Sequence, residues 1–301
     1  MELRQLKYFV KVAETLNFSE ASKALFITQS TLSQQIKQLE QEFDTQLLQR
    51  NSHNVALTEA GEELLPCAIR VLQESRQCIE KLNDLKELLT GTLNIGVTYT
   101  FSPILTETLQ EFMRTYPQVK LNIFYKPMLE LMDMLHNREV DFVLAFRPSQ
   151  PIEDVESHIL FQNYLAAVMK SDHPLASNSR ITFEQLESQE LILPTKGLQA
   201  RNTFEQLLPL SLRSRLNIRM QLNEVHILLN LIRQSDMITV LADATIHNEP
   251  GVKAIPLDLP GNEMEGCVHL LKNSYRKRSM QKFITLLSSS SAIRTRFNSW
   301  F

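Results

Sequence analysis

The sequence is short of glycine, cysteine and net positive charge, and each shortage excludes something. Its 301 residues include seven glycines, of which the first is Gly61. Glycine supplies positive φ without steric cost, so residues 1–60 must be helices joined by tight polar turns. There is no Gly-x-Gly-x-x-Gly loop, Gly-x-Ser-x-Gly elbow or His-Glu-x-x-His pair, which weighs against an enzyme of the α/β class. Paired carboxylates such as Asp133 and Asp141 stand in no recognisable catalytic context. The three cysteines, Cys67, Cys78 and Cys267, form an odd set without Cys-x-x-Cys. That excludes a disulfide framework and gives no zinc-site spacing. No apolar run reaches the roughly 18 residues that a membrane span needs. The start, Met1-Glu2-Leu3-Arg4-Gln5-Leu6-Lys7, lacks the form of a signal peptide. The expected location is therefore cytoplasmic, away from any membrane.

Charge of one sign is also scarce. The formal net charge is −3, and residues 1–60 hold six Lys/Arg against seven Asp/Glu. A nucleic-acid reader usually shows a basic face, so here any such face must be made by sorting a few cations onto one side. What is present is ordinary globular material, 43% hydrophobic and 22% charged, long enough for two or three domains.

Periodicity divides the chain. Leu6, Phe9, Val10 and Ala13 recur at helical spacing and mark an amphipathic helix. Asn17 and Ser19 offer caps to a short second helix carrying Ala21, Ala24 and Leu25. A third helix is expected from the N-cap Thr28, with Leu32, Ile36, Leu39 and Phe43 as its buried stripe. Leu47-Leu48 and Val55-Ala56-Leu57 flank the polar Arg50-Asn51-Ser52-His53-Asn54, which suits a small β-wing. A long helix then runs from Thr58 to about Leu89. Its heptad-like stripe of Leu65, Ala68, Leu72, Ser75, Ile79, Leu82 and Leu89, broken at Lys86, suggests a two-helix seam and hence a dimer; the alternative is a helix packed on its own domain. After Gly91, short apolar runs at 93–97, 119–124, 142–146, 165–169, 191–193, 238–241 and 268–271 alternate with helical stretches at 103–116, 128–137, 199–208, 224–233 and 279–298. Such alternation predicts parallel α/β sheets.

The third helix is the sharpest feature. Opposite its buried stripe lie Ser30, Ser33, Gln34 and Lys37, with Gln29 at the N-terminal tip. Hydroxyl, amide and ammonium groups are what base edges and phosphates require in a major groove, and a recognition helix reads with its N-terminal residues. A plain solvated face has the same spacing. The segments Phe18-Ser-Glu-Ala-Ser-Lys-Ala-Leu25, Thr28-Gln-Ser-Thr-Leu-Ser-Gln-Gln-Ile-Lys-Gln-Leu-Glu40, Leu47-Leu-Gln-Arg50 and Leu57-Thr-Glu-Ala-Gly61 together resemble the signature of LysR-type transcription regulators. They occur in the right order and spacing through the first 65 residues, and the later pattern fits the same family.

The resemblance implies an α/β protein with an N-terminal all-α winged helix-turn-helix, a long linker helix and a two-lobed effector domain like a periplasmic binding protein. The corresponding boundaries are 1–58, 59–90 and 91–301, with one lobe about 91–162 and 265–301 and the other about 163–264. It implies a sequence-specific transcription regulator rather than an enzyme. The partners would be a double-stranded DNA operator, a second copy through the linker helix, a tetramer, and RNA polymerase if the protein activates. Gln29, Ser30, Thr31, Ser33, Gln34 and Lys37, with Arg50 and His53 of the wing, are the DNA-binding candidates. Two departures stand out. Asp44 occupies a position after the third helix where the family often has glycine. His53 lies where the wing usually carries a second arginine, so fewer phosphate contacts and a shallower salt dependence are expected, each contact contributing roughly 0.9 to the log–log slope.

Past the strand at 93–97 comes Thr98-Tyr-Thr-Phe-Ser-Pro103, with Ser102 a good N-cap and Pro103 suited to the first helical position. Hydroxyls and free amides at a helix start beyond a strand end favour small anions, although simple capping by Ser102 explains the pattern equally well. Thr195, Lys196 and Arg201 follow the strand at 191–193, Arg147 follows the one at 142–146, and His226 opens another helix. These four cationic or potentially cationic groups favour an anionic small-molecule effector, with no other cofactor or metal. The family resemblance places such regions in the inter-lobe cleft, making Thr98, Thr100, Phe101, Ser102, Phe146, Thr195, Lys196, Arg201 and His226 the effector-binding candidates. Leu222–Leu241, Lys253–Leu257 and Thr98–Phe101 are similar to the branch containing cyanate-responsive regulators.

Two rivals share this scaffold. One is a thiol-redox regulator. Peroxide-sensing relatives place two cysteines in the second lobe, whereas this chain has none between Cys78 and Cys267. Cys67 and Cys78, eleven residues apart on one helix, would be about 16 Å apart, too far to bridge within a chain, which leaves a bond across the dimer seam. The other rival is a DNA-binding protein that needs no effector.

Overall fold

A computed structural model describes residues 1–50, 55–85, 89–291 and 293–294. The chain divides into two compact units, Met1–Leu88 and Leu89–Phe301.

The first unit contains α1 (Leu3–Thr15), α2 (Phe18–Leu25), α3 (Gln29–Glu42), β1 (Leu48–Arg50), β2 (Val55–Leu57) and α4 (Glu59–Leu85). Asn17 caps α2 by accepting from the amides of Ser19 and Glu20. Thr28 caps α3 by accepting from the Thr31 amide. In α1 the buried apolar residues are Leu6, Phe9 and Val12, while Val10 and Ala13 are half-buried. The stripe is rotated from its expected position because α1 packs against α2, α3 and α4 together. Ala24 of α2 is exposed rather than packed. In α3, Leu32, Ile36 and Leu39 are buried. Phe43 is not part of the stripe: the helix ends at Glu42, and Phe43 is 39% exposed. Asp44 follows in the left-handed region at φ 47°. That conformation explains why glycine suits the position.

The wing strands pair antiparallel, Leu48 with Leu57 and Arg50 with Val55. The Glu40 carboxylate accepts from the amides of Leu47 and Leu48, tying the wing to α3. Gly61 is obligatory by close approach, since a Cβ there would stand 2.1 Å from the Leu47 carbonyl oxygen. Pro66 lies inside α4 and removes one helical donor. The heptad stripe of α4 splits in two. Leu65, Ala68 and Leu72 join the core of α1–α3, whereas Ile79 and Leu82 are 61% and 59% exposed. Leu89 packs in the second unit, and Lys86 lies outside the described residues.

The second unit runs β3 (Gly91–Val97), α5 (Ser102–Thr115), β4 (Val119–Tyr125), α6 (Met128–His136), β5 (Phe142–Phe146), β6 (Val155–Lys170), α7 (Phe183–Glu187), β7 (Glu190–Pro194), α8 (Gln199–Leu207), α9 (Leu210–Arg213), β8 (Asn217–Leu222), α10 (Val225–Arg233), β9 (Thr239–Ala242), β10 (Val252–Pro256), β11 (Glu263–Leu271) and α11 (Arg278–Ser289). Its sheets are mixed, not purely parallel. β3 is parallel to β4 and β5, and β7 to β8. β11 is antiparallel to β5 and β6, and β6 is antiparallel to β9 and β10.

The 16-residue β6 explains the mixture. Its first part, through Tyr164, pairs with β11, and from Leu165 it pairs with β9 and β10. One strand therefore serves two lobes. β3, β4 and β5 belong to the first, and β7–β10 to the second. The chain returns to the first lobe at β11. Only the apolar half of β6 was visible as a sequence run, because residues 156–163 include Glu156, His158, Gln162 and Asn163.

Candidate functional site

The exposed side of α3 carries Gln29, Ser30, Thr31, Gln34 and Lys37, with Ser33 half-buried. Its N-terminal turn is pre-ordered. The Thr28 hydroxyl lies 2.9 Å from that of Ser30 and 2.8 Å from that of Thr31. The Ser19 hydroxyl donates to Gln29 Oε1 at 3.0 Å, which joins the starts of α2 and α3. Gln34 and Lys37 project one turn and two turns further along. In the wing, the Arg50 backbone ends β1; its side chain and His53 lie outside the described residues.

The effector candidates do not all meet. Phe101 and Phe146 are core residues, 0% and 1% exposed, with ring centroids 5.8 Å apart and Phe161 packed on both. Ser102 is the first residue of α5 rather than its cap. Helix α5 begins one residue early because a 3₁₀ turn at Tyr99–Phe101 leads straight into it. Arg201 is 5% exposed, and its guanidinium is held by Glu205 at 2.8 Å and the Pro194 carbonyl at 3.4 Å. Arg147 pairs with Glu265 at 2.5 Å. His226 is exposed on α10, whose N-terminal amides at His226 and Ile227 are taken by the Glu224 carboxylate. The charges of Arg147 and Arg201 are thus engaged within the protein.

Four candidates do line two adjoining cavities. Thr98 and Thr100 line a small one of about 30 Å³, together with Met128, Gln199, Val225, Leu241 and Thr245 among others. Thr195 and Lys196 line a larger one of about 300 Å³ with Tyr99, Tyr125, Lys126 and Asn223. Tyr99, Lys126, Pro127 and Leu198 border both. The larger cavity sits just past the carboxyl ends of β3, β4, β7 and β8, where open α/β sheets hold ligands. Tyr99 and Tyr125, which both line it, stack on each other with centroids 5.5 Å apart. Lys126 comes from the first lobe and Lys196 from the second. Lys126 also pairs with Glu130 at 2.7 Å, while Lys196 has no ion pair among the described residues.

Lys126 was not singled out from the sequence. The rule that selected Thr98 and Lys196, a polar residue just past a strand end, applies equally to Lys126 after the run at 119–124. Gln199 and Thr245 carried no such signal, because their roles depend on contact between lobes. Thr245 is 4% exposed, and its hydroxyl finds no hydrogen-bond partner among the described residues.

The thiols fall in different surroundings. Cys67 and Cys78 are exposed on α4, and Cys267 is buried. Burial pushes the Cys267 thiol up to about 11, so it stays protonated and weakly nucleophilic. Among the described residues no cluster of His, Cys, Asp and Glu could hold a metal ion. No described helix is long and apolar enough to cross a membrane.

Residues 3–62 match the family described as "Bacterial regulatory helix-turn-helix protein, lysR family", and residues 86–292 match "LysR substrate binding domain". The chain is 33% identical over 215 residues to the uncharacterized HTH-type transcriptional regulator YwqM of Bacillus subtilis, covering 68% of this chain and 70% of that one. A full-length OxyR variant from Pseudomonas aeruginosa superposes with a TM-score of 0.69 at 24% identity, over 98% of this chain and 95% of its own. The regulatory domain of Synechocystis CcmR, solved with 2-PG, gives 0.58 at 22% identity over 69% and 99%.

Proposed function

This chain belongs to the LysR family of DNA-binding transcription regulators with an effector-binding domain, and from that premise we propose that a small anion held between Lys126 and Lys196 controls its action on DNA. The observation that carries this reading is the placement of two lysines, one from each lobe, on one cavity of about 300 Å³. That volume suits a small metabolite. An anion there attracts both lobes at once, so it binds the closed arrangement better than an open one. Such differential affinity is what a ligand needs to shift a conformational equilibrium. Thr195, Asn223 and Tyr99 add polar groups that orient the ligand. The CcmR regulatory domain, solved in complex with 2-PG, shares the fold, which is in keeping with a small-molecule ligand for a domain of this fold.

On the DNA side, Gln29, Gln34 and Lys37 read base edges from the major groove, with Ser30, Thr31 and Ser33 nearer the backbone. Arg50 and His53 of the wing contact phosphate. The exposed Ile79 and Leu82 on α4 form the seam of a homodimer, and dimers pair into tetramers on an operator. The protein works in the cytoplasm, where an activator of this kind would meet RNA polymerase.

Thermal-shift screening of the full chain against small carboxylates and inorganic anions tests the effector reading. A stabilising anion whose effect is lost in Lys196→Met supports it. Equal stabilisation of both proteins, or none by any anion, rejects it.

A further inference from the structure

The first lobe has an unfinished sheet edge, and the second lobe completes it. β5 pairs with β3 only as far as Leu144, because β3 ends at Val97 and the chain turns away after the Thr98 amide donates to the Leu144 carbonyl at 3.0 Å. On its other side β5 remains paired with β11, where the Arg147 amide donates to Glu265 at 2.8 Å. The N–H and C=O of Phe146 therefore point to where β3 would have continued. The carboxamide of Gln199 fills that place. Phe146 N–H donates to Gln199 Oε1 at 3.1 Å, and Gln199 Nε2 donates back to the Phe146 carbonyl at 2.9 Å. The same Nε2 reaches Met128 Sδ at 2.7 Å. Phe146 and Met128 belong to the first lobe, whereas Gln199 is the first residue of α8 in the second.

We propose that Gln199 is a latch between the lobes, a side chain standing in for a strand residue and holding the effector domain closed before any ligand binds. A carboxamide suits this role because it carries a donor and an acceptor side by side, as a strand's backbone does. Opening the lobes removes the partners of a backbone N–H and C=O that must otherwise be satisfied. The latch borders the small cavity at Thr98 and Thr100, next to the lysine-lined one. Its effect on ligand affinity rests on the effector reading above: a cleft already closed binds its anion more tightly than one that must first close. Gln199 is thus a positioning residue that acts through the lobe equilibrium.

The test is amide hydrogen exchange in the full chain without ligand. Gln199→Met keeps the length and apolar bulk of the side chain and removes both bonds. Exchange of the Phe146 amide is expected to quicken roughly tenfold, with Phe142–Ala145 unchanged. Gln199→Glu can accept from the Phe146 amide but cannot donate to its carbonyl, so it should fall between the two. Equal Phe146 exchange in wild type and Gln199→Met overturns the latch. This outcome is independent of the lysines: if Lys196→Met leaves anion binding intact, the effector reading fails while Phe146 still reports on Gln199. Binding of inorganic phosphate, followed by calorimetry, should weaken in Gln199→Met in step with the faster exchange. Unchanged phosphate affinity alongside faster exchange would overturn the coupling of latch to cleft.

Discussion

Lys126 and Lys196 border one cavity from opposite lobes, and Lys126 is ion-paired to Glu130 at 2.7 Å, whereas Lys196 has Glu205 within electrostatic reach but no ion pair among the described residues. Glu130 competes with any anion for that ammonium. Lys196→Met should therefore weaken binding of a stabilising anion more than Lys126→Met, by roughly tenfold. Glu130→Gln should strengthen it a few-fold. Calorimetric titration at two salt concentrations measures both, and the lysine effects should shrink at high salt because exposed charges are screened.

Recognition and anchoring should separate on α3 and the wing. Gln34 is an exposed amide on the recognition face. Gln34→Ala is expected to weaken specific binding by about 1–3 kcal/mol and to leave random DNA little affected. Arg50→Ala should weaken binding to any sequence and lower the salt slope by about 1. Mobility shifts on operator and random duplexes distinguish them, and equal losses on both from Gln34→Ala would remove it from base reading.

Phe26 is 94% exposed and sits at φ 55° as the C-cap of α2. The left-handed region is strained for a bulky side chain, and almost nothing packs on this one. Phe26→Asn should stabilise the protein by about 0.5–1 kcal/mol, since asparagine tolerates that conformation. A lower unfolding midpoint in urea would show instead that the ring has a packing partner.

His269 of β11 is fully buried, hydrogen-bonded to Ser157 Oγ at 2.8 Å and to the Ala145 carbonyl at 3.2 Å. Burial pulls its pKa down to about 4 from an ordinary 6.5. Between those values the unfolded chain binds a proton that the folded one refuses. Stability should therefore fall as pH drops from about 6.5 to 4, by up to about 1.4 kcal/mol per unit. His269→Gln should be less stable at pH 7 and should flatten this dependence. Urea unfolding across the range, followed in the second unit, tests it.

The helices of the first unit were legible because capping residues and a 3.6-residue period act locally. Asn17 and Thr28 cap as their types suggest. The phase of α1 was not legible, since three neighbouring helices decide which residues it buries. In the second unit the apolar runs located most strands but not their direction. Antiparallel β6 and β11 arise from a strand shared between lobes, and its polar half has no hydrophobic signature. β8 and β10 were missed for similar reasons, β8 being largely exposed and β10 carrying Lys253 and Pro256. Residue type and strand-end position singled out Thr98, Thr100, Thr195 and Lys196, which line the two adjoining cavities. The same rule picked Arg201 and Arg147 as cations favouring an anion, and their ion-pair partners Glu205 and Glu265 are visible only in three dimensions. Gln199 was invisible for the same reason.

An anion in the lysine-lined cleft should change what the recognition helices do. The most direct test is footprinting of the full chain on its operator with and without the anion that stabilises it, repeated with the Lys126→Met/Lys196→Met double variant. The anion should alter the wild-type footprint or its affinity and leave the double variant unchanged. A wild-type footprint and affinity indifferent to a bound anion, or an equal response in the double variant, would contradict it.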